Sequence, residues 1–289
     1  MVKARRDVRP EEVRQSARHV LFVEGSGPNP LDSDVVRDLL GKRIRTEPLG
    51  GALDIRSAAE ALHKFHPDYY FLIDRDHHSD EYVERSWARF PDPEYSNILI
   101  WRCRELENYF LEPAFLAQST YLKTSIDRLR AVIIAAAKKR LLIDCANFVI
   151  VSVREDLKKN WIEAFSNPEE FRDEKEALSR LVSRPEFAQY GRRVGQVKAK
   201  RELERRFRTH LRRLTGSTAE IHWDQGDWLK LLKGKKILPG VVSRCFKVDH
   251  LRGRKLLRAV LTRLVSTTQN VLPADFVCLR ELIFQRIQD

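Results

Sequence analysis

Three short apolar runs punctuate the first third of the chain: His19 to Val23 (HVLFV), Tyr69 to Ile73 (YYFLI) and Asn97 to Trp101 (NILIW). Each is apolar at successive positions, not at alternate ones. Both faces of such a strand are buried, which is the pattern of a parallel sheet covered by helices. Between the runs the period changes. Val35, Val36, Leu39 and Leu40 recur at helical spacing in 34–40, and Leu53, Ala58, Ala61, Leu62 and Phe65 do so in 53–65, where they are the expected buried side. Residues 82–90 read as a third helix and 43–49 as a further short strand. The expectation is an α/β fold with a parallel-rich sheet flanked by helices.

All three runs end at acids. Glu24 follows the first, Asp74-Arg75-Asp76 follows the second, and Glu105 and Glu107 come shortly after the third. Ligands of parallel sheets sit at the carboxyl ends of the strands, so these carboxylates are expected along one edge. Hard divalent cations take oxygen ligands, commonly one or two carboxylates with phosphate and water. In phosphodiester hydrolysis they activate water and neutralise the leaving oxygen. Glu24, Asp74 and Asp76 are therefore the candidate metal-binding core. Gly25-Ser26-Gly27 forms a turn that lets a phosphate or metal approach the backbone. In an extended segment Glu105 and Glu107 cannot both serve, and one of them caps the next turn. His77 and His78 read as a solvated loop.

Beyond about residue 115 the chain becomes mostly helical. Segments 131–137, 169–182, 197–214 and 274–287 read as helices, the last with Pro273 before it, and 147–153 is ambiguous between strand and helix. Residues 228–238 form an amphipathic stretch interrupted at Gly234. In the basic segment 197–214, Lys198, Arg201, Arg205, Arg208 and Arg212 are candidate contacts to a nucleic-acid backbone. The plainer reading is a solvated helix face paired with Glu202 and Glu204. The expected organisation is a catalytic core over 1–116, a helical, basic insertion or dimerisation region over 117–222, and a C-terminal segment over 223–289.

Charge sharpens the choice of partner. Lys and Arg number 53 against 41 Asp and Glu, a net charge of +12, which points to a polyanion. The four cysteines, Cys103, Cys145, Cys245 and Cys278, show no CxxC spacing. Residues 1–18 lack the apolar stretch of a signal peptide, and no apolar run is long enough to span a bilayer. A cytoplasmic protein with no membrane contact is expected.

VEG (Val23 to Gly25) and DRD (Asp74 to Asp76), each after an apolar strand, resemble the TOPRIM domain. RELENYFLEP (Arg104 to Pro113) and KGKKIL (Lys233 to Leu238) resemble segments of OLD-type and DUF4435-type TOPRIM nucleases. The resemblance implies one or two Mg²⁺ or Mn²⁺ ions. Glu24 would be a ligand or general base, Asp74, Asp76 and Glu105 or Glu107 would be ligands, and Lys235 would stabilise phosphate charge. It also implies a second-metal carboxylate at Asp32, with Asp34 as the alternative. Stand-alone TOPRIM effectors of PARIS-type anti-phage systems cleave tRNA and pair with a separate ABC-type ATPase. Neither Gly41-Lys42 nor Gly234-Lys235 completes a GxxxxGK[ST] loop, so ATP would be bound by that partner. The resemblance thus implies an endonuclease, RNA-directed, with a DNA endonuclease or a non-catalytic binding module as alternatives, and the long helical C-terminal half suits a homodimer interface.

Overall fold

The computed structural model describes residues 19–26, 30–41, 43–92, 96–158, 173–218 and 220–288. Four strands form one parallel sheet: β1 (Val20–Val23), β2 (Arg45–Pro48), β3 (Tyr69–Ile73) and β4 (Ile98–Ile100). Their order is β2-β1-β3-β4. Val20 faces Arg45 on one side and Tyr69 on the other, and Phe71 faces Ile98. The apolar runs are buried as their pattern requires: Leu21, Val23, Tyr70, Phe71, Leu72, Ile73, Leu99 and Ile100 lie in the core. Each such side chain contributes roughly 1.5–3 kcal/mol by leaving water.

The helices between strands are α1 (Leu31–Leu39), α2 (Ala52–Leu62) and α3 (Asp80–Arg89). They pack on β2, β3 and β4 respectively. The buried side of α2 is Ile55 and Ala59, one turn apart, while Leu53, Ala61 and Phe65, expected there, are exposed. Helix α1 starts three residues before its apolar period does, immediately after Pro30. Two single-turn helices follow, α4 (Leu106–Tyr109) and α5 (Pro113–Leu116).

The rest is helical: α6 (Ile126–Lys158), α7 (Glu174–Ser183), α8 (Pro185–Val197), α9 (Lys200–Thr215), α10 (Trp228–Leu231), α11 (Gly234–Cys245), α12 (Gly253–Thr267) and α13 (Ala274–Gln288). The ambiguous segment 147–153 is helix, an interior part of the 33-residue α6. The basic segment is broken at 198–199, so its helix starts at Lys200. Of the helix expected over 169–182, residues 169–172 lie outside the described residues. No helix among the described residues is long and apolar enough to cross a membrane.

The chain forms two compact units. One joins Met1–Ala137 to Leu229–Asp289, and the other is Lys138–Trp228. The boundaries thus fall later than the expected 116/117 and 222/223. Leu129, Ile133 and Ala137, spaced one helical turn apart, are fully buried, so the first turns of α6 go with the sheet-bearing unit. The chain rejoins that unit at Leu229, where Asn108 Nδ2 donates to the carbonyls of Leu229 and Leu232 at 2.8 Å each.

Candidate functional site: an acidic crevice at the strand ends

The chain leaves β1 toward β2 but leaves β3 toward β4. The carboxyl ends of β1 and β3 are therefore a switch point, where parallel sheets open a crevice. Glu24 is the first residue after β1 and Asp74 the first after β3. They meet directly: the Asp74 backbone N–H donates to Glu24 Oε1 at 2.8 Å. Gly25 takes φ +154°, and a Cβ there would lie 2.5 Å from the Pro30 ring. No side chain fits, which is why the strand ends in Glu-Gly.

Asp74 is buried at 4% exposure. Arg75 beside it is also buried and holds the turn in shape. Its Nε donates to the His78 carbonyl at 3.1 Å, Nη1 to the Arg102 carbonyl at 2.9 Å, and Nη2 to Asp80 Oδ1 at 2.7 Å. Asp76 sits exposed on the same turn with φ 48°, a left-handed conformation that Asp tolerates better than most residues. His78 bonds Arg56 at 2.8 Å, and its ring lies tilted against that of Tyr82, centroids 5.0 Å apart. Burial, with Arg56 beside it, lowers its pKa, so the ring belongs to this surface cluster.

The segment 104–108 and the start of α11 supply the opposite wall. Arg104 N–H donates to the Lys230 carbonyl at 2.8 Å, and Asn108 Oδ1 accepts from Glu105 N–H at 3.2 Å. Gly234 packs so closely that a Cβ would lie 2.5 Å from Asn108 Oδ1. This contact delivers Lys235. Its backbone N–H donates to Glu105 Oε2 at 2.7 Å, and its Nζ donates to Asp74 Oδ2 at 2.5 Å. Glu105 thus caps α11, a helix more than a hundred residues away in sequence, where its negative charge also suits the helix dipole.

Glu107 behaves differently. It is 5% exposed, and its Oε2 has no hydrogen-bond partner among the described residues. Helix α1 adds Asp32, whose charge interacts with Asp74, Glu105 and Lys235. Asp34 points elsewhere, because two residues along a helix are about 200° apart. It pairs with Arg37 at 2.6 Å and with Arg258 of α12. Asp32, not Asp34, is the carboxylate of the crevice.

So much buried negative charge is costly. Burial, reinforced by Asp74, raises Glu24 to about 7. Burial raises Asp32 to about 7, although Lys235 opposes it. Burial and then Asp32 raise Glu107 to about 8. Asp74 and Glu105 are also raised by burial, against the pull of Lys235. Burial works against the lysine's charge, yet Asp74, Asp32 and Glu107 outweigh it and hold Lys235 protonated far above neutral pH.

The structure therefore gathers Glu24, Asp32, Asp74, Asp76, Glu105, Glu107 and Lys235 in one unit. Among the described residues, no three His, Cys, Asp or Glu side chains converge closely enough to hold a metal ion as they stand. Lys198, Arg201, Arg205, Arg208 and Arg212 belong to the other unit and are exposed there. Part of that charge is compensated locally. Arg205 makes two 2.7 Å bonds to Glu202, and Arg208 lies 3.6 Å from Glu204. Sequence reading missed Arg258 and Arg254 of α12, the latter close enough to Asp32 to favour its ionised form. The signal was present, since Leu256, Leu257, Val260, Leu261, Leu264 and Val265 keep an unbroken helical period.

No protein-family model matches the chain, and no curated protein matches it.

Proposed function

We propose that the chain is a divalent-cation-dependent phosphodiesterase of TOPRIM type that cleaves nucleic acid. The observation that carries this reading is Glu107 Oε2, a buried carboxylate oxygen without a hydrogen-bond partner among the described residues, inside a crevice of further acids. Buried polar atoms are normally satisfied, and one left over among like charges calls for a cation. All-oxygen donors of this kind suit Mg²⁺ or Mn²⁺, one or two ions. Asp74, Asp32, Glu107 and Glu24 are the residues that would hold them, with Asp76 at the rim. Such an ion, when bound, supplies charge neutralisation and a more acidic water.

The chain's own groups do the remaining work. Glu24, with a pKa near 7, is suited to exchange a proton with water at neutral pH. Lys235 offers a positive charge to a phosphate oxygen. The Arg75 side chain ties the turn after β3 to the segment after β4, and the Asn108 side chain ties that segment to the chain leading into α11.

The substrate we favour is RNA, tRNA in particular, with a separate ATPase as partner and a homodimeric, cytoplasmic effector as the working form. The substrate and the partner rest on the motif resemblance and on the net charge of +12, and the dimer on the long helical C-terminal half. Duplex DNA is the competing substrate. The Lys235–Asp74 ion pair favours a second reading, a non-catalytic nucleic-acid-binding module whose acids are permanently neutralised. One experiment separates these readings. Purified protein, alone and with its partner, is incubated with tRNA, single-stranded RNA or duplex DNA, with Mg²⁺, Mn²⁺ or EDTA. Metal-dependent cleavage abolished by Glu24→Ala and by Asp74→Ala is expected. Cleavage that survives both substitutions sinks the site assignment, and binding without cleavage under any condition favours the module.

A further inference from the structure

Lys235 reaches the crevice with its ammonium on Asp74 Oδ2, and its charge also faces Asp32 and Glu107. It stands where the carboxylates of three separate segments approach one another. The same crevice holds a buried carboxylate oxygen, Glu107 Oε2, that the lysine leaves without a hydrogen-bond partner among the described residues. Two facts then belong together: donors of the right type are assembled, yet no three of them converge at metal-holding distance among the described residues. The ammonium bonds Asp74 Oδ2 and carries a single positive charge, half that of a divalent cation, against several carboxylates.

We infer that Lys235 is the resident counter-ion of the acidic site, and that a divalent cation enters by exchanging with the lysine ammonium on Asp74. This rests on the metal-dependent reading above. The main chain makes exchange feasible without rebuilding the wall. Lys235 is anchored by its own N–H on Glu105 and by the Gly234–Asn108 contact, neither of which involves the side chain beyond Cα. The stem is free to swing while α11 stays in place. The lysine side chain keeps 36% of its exposure, so there is open space for it to move into. Displaced from Asp74, the ammonium remains tethered beside the cation, where a phosphate oxygen would arrive.

The test is metal affinity, read apart from activity. The full chain, stripped with EDTA and dialysed, is titrated calorimetrically with MgCl₂ and with MnCl₂. Lys235→Met removes the competing charge and keeps the stem, so at least about tenfold tighter binding is expected. Lys235→Arg keeps the charge and stays within about threefold of the parent. Equal or weaker binding by Lys235→Met overturns the exchange while leaving the metal-dependent reading intact. No binding by the parent or by Lys235→Met removes both. A second measurement uses the parent protein alone, in case Lys235→Met does not fold. The ¹H–¹⁵N signal of the Lys235 ammonium, held by Asp74 and identified by its absence in Lys235→Arg, should vanish on saturation with Mg²⁺. A signal that persists unchanged at saturation overturns the inference.

Discussion

Glu105 Oε2 accepts the backbone N–H of Lys235 at 2.7 Å, which ties the acid after β4 to the first turn of a helix on the far side of the insertion. This bond divides the two glutamates of the 104–108 segment by role. Glu105 has one oxygen committed to holding α11, whereas Glu107 has an oxygen to spare.

Glu105→Ala should therefore lower stability by about 1 kcal/mol, as loss of a helix cap does. Glu105→Gln keeps an acceptor and should recover most of that. Glu107→Gln should leave stability unchanged or raised, because burial already pushes this carboxyl toward its neutral form, but should weaken Mg²⁺ binding at least about tenfold. Urea melts and calorimetric metal titrations of the three variants check this. Equal metal loss in Glu105→Gln and Glu107→Gln would contradict the division.

Asp32 and Asp34 should dissociate in the same way. Asp34→Asn leaves Arg37 and Arg258 without their carboxylate and should cost roughly 1–3 kcal/mol, with metal affinity retained. Asp32→Asn should be neutral or stabilising without metal and should weaken metal binding. Thermal melts with and without Mg²⁺ read both effects at once. The reverse pattern would move the site carboxylate to Asp34.

The pH dependence of the metal-free protein has a definite sign. Ordinary values of 4.5 for Glu24, 3.8 for Asp32 and 4.5 for Glu107 rise on folding to about 7, 7 and 8. Folding takes up protons, so their contribution is fully present below the lower values and is lost as pH rises through the higher ones. Lys235, and Arg254 near Asp32, reduce the loss without reversing it. The Tm of metal-free protein should fall from about pH 5 to about pH 8.5, and the Tm gain from Mg²⁺ should grow over the same window. A metal-free Tm that rises with pH there contradicts these shifts.

Gly234→Ala places a methyl 2.5 Å from Asn108 Oδ1 and 2.9 Å from its backbone N. The backbone on one side cannot yield, so a cost of about 1–3 kcal/mol is expected. Asn108→Ala frees the carbonyls of Leu229 and Leu232 and should cost about the same. Denaturant midpoints for both variants and the double variant test whether they act on one joint, in which case the costs will not add.

The sheet and three of its acids were legible because strand ends are local. A run buried on both faces and a carboxylate directly after it are both written in adjacent residues, as at Val20–Glu24 and Tyr69–Asp74. The choice between Asp32 and Asp34 was not legible. It depends on the starting residue of α1, and a shift of two positions turns a side chain to the other face. The capping role of Glu105 was invisible because its partner, Lys235, arrives from another part of the chain. Residues 147–153 were ambiguous because a β-branched run inside a long helix carries no strong period of its own. Helix α12 did have its period, and reading it would have flagged the arginine beside Asp34. The nuclease reading comes from motif resemblance and site chemistry, not from periodicity.

The insertion of residues 138–228 within the sheet-bearing unit has a consequence for the order of synthesis. A ribosome completes the four strands and every carboxylate of the crevice long before it reaches Lys235. Until then the growing chain carries Glu24, Asp32, Asp74, Glu105 and Glu107 with neither the ammonium nor the helix turn that Glu105 caps. Because domains close as units once their parts are available, this one closes late. A truncated product ending within the insertion holds an acidic edge but no finished site, so the site is completed only after the whole insertion has been made.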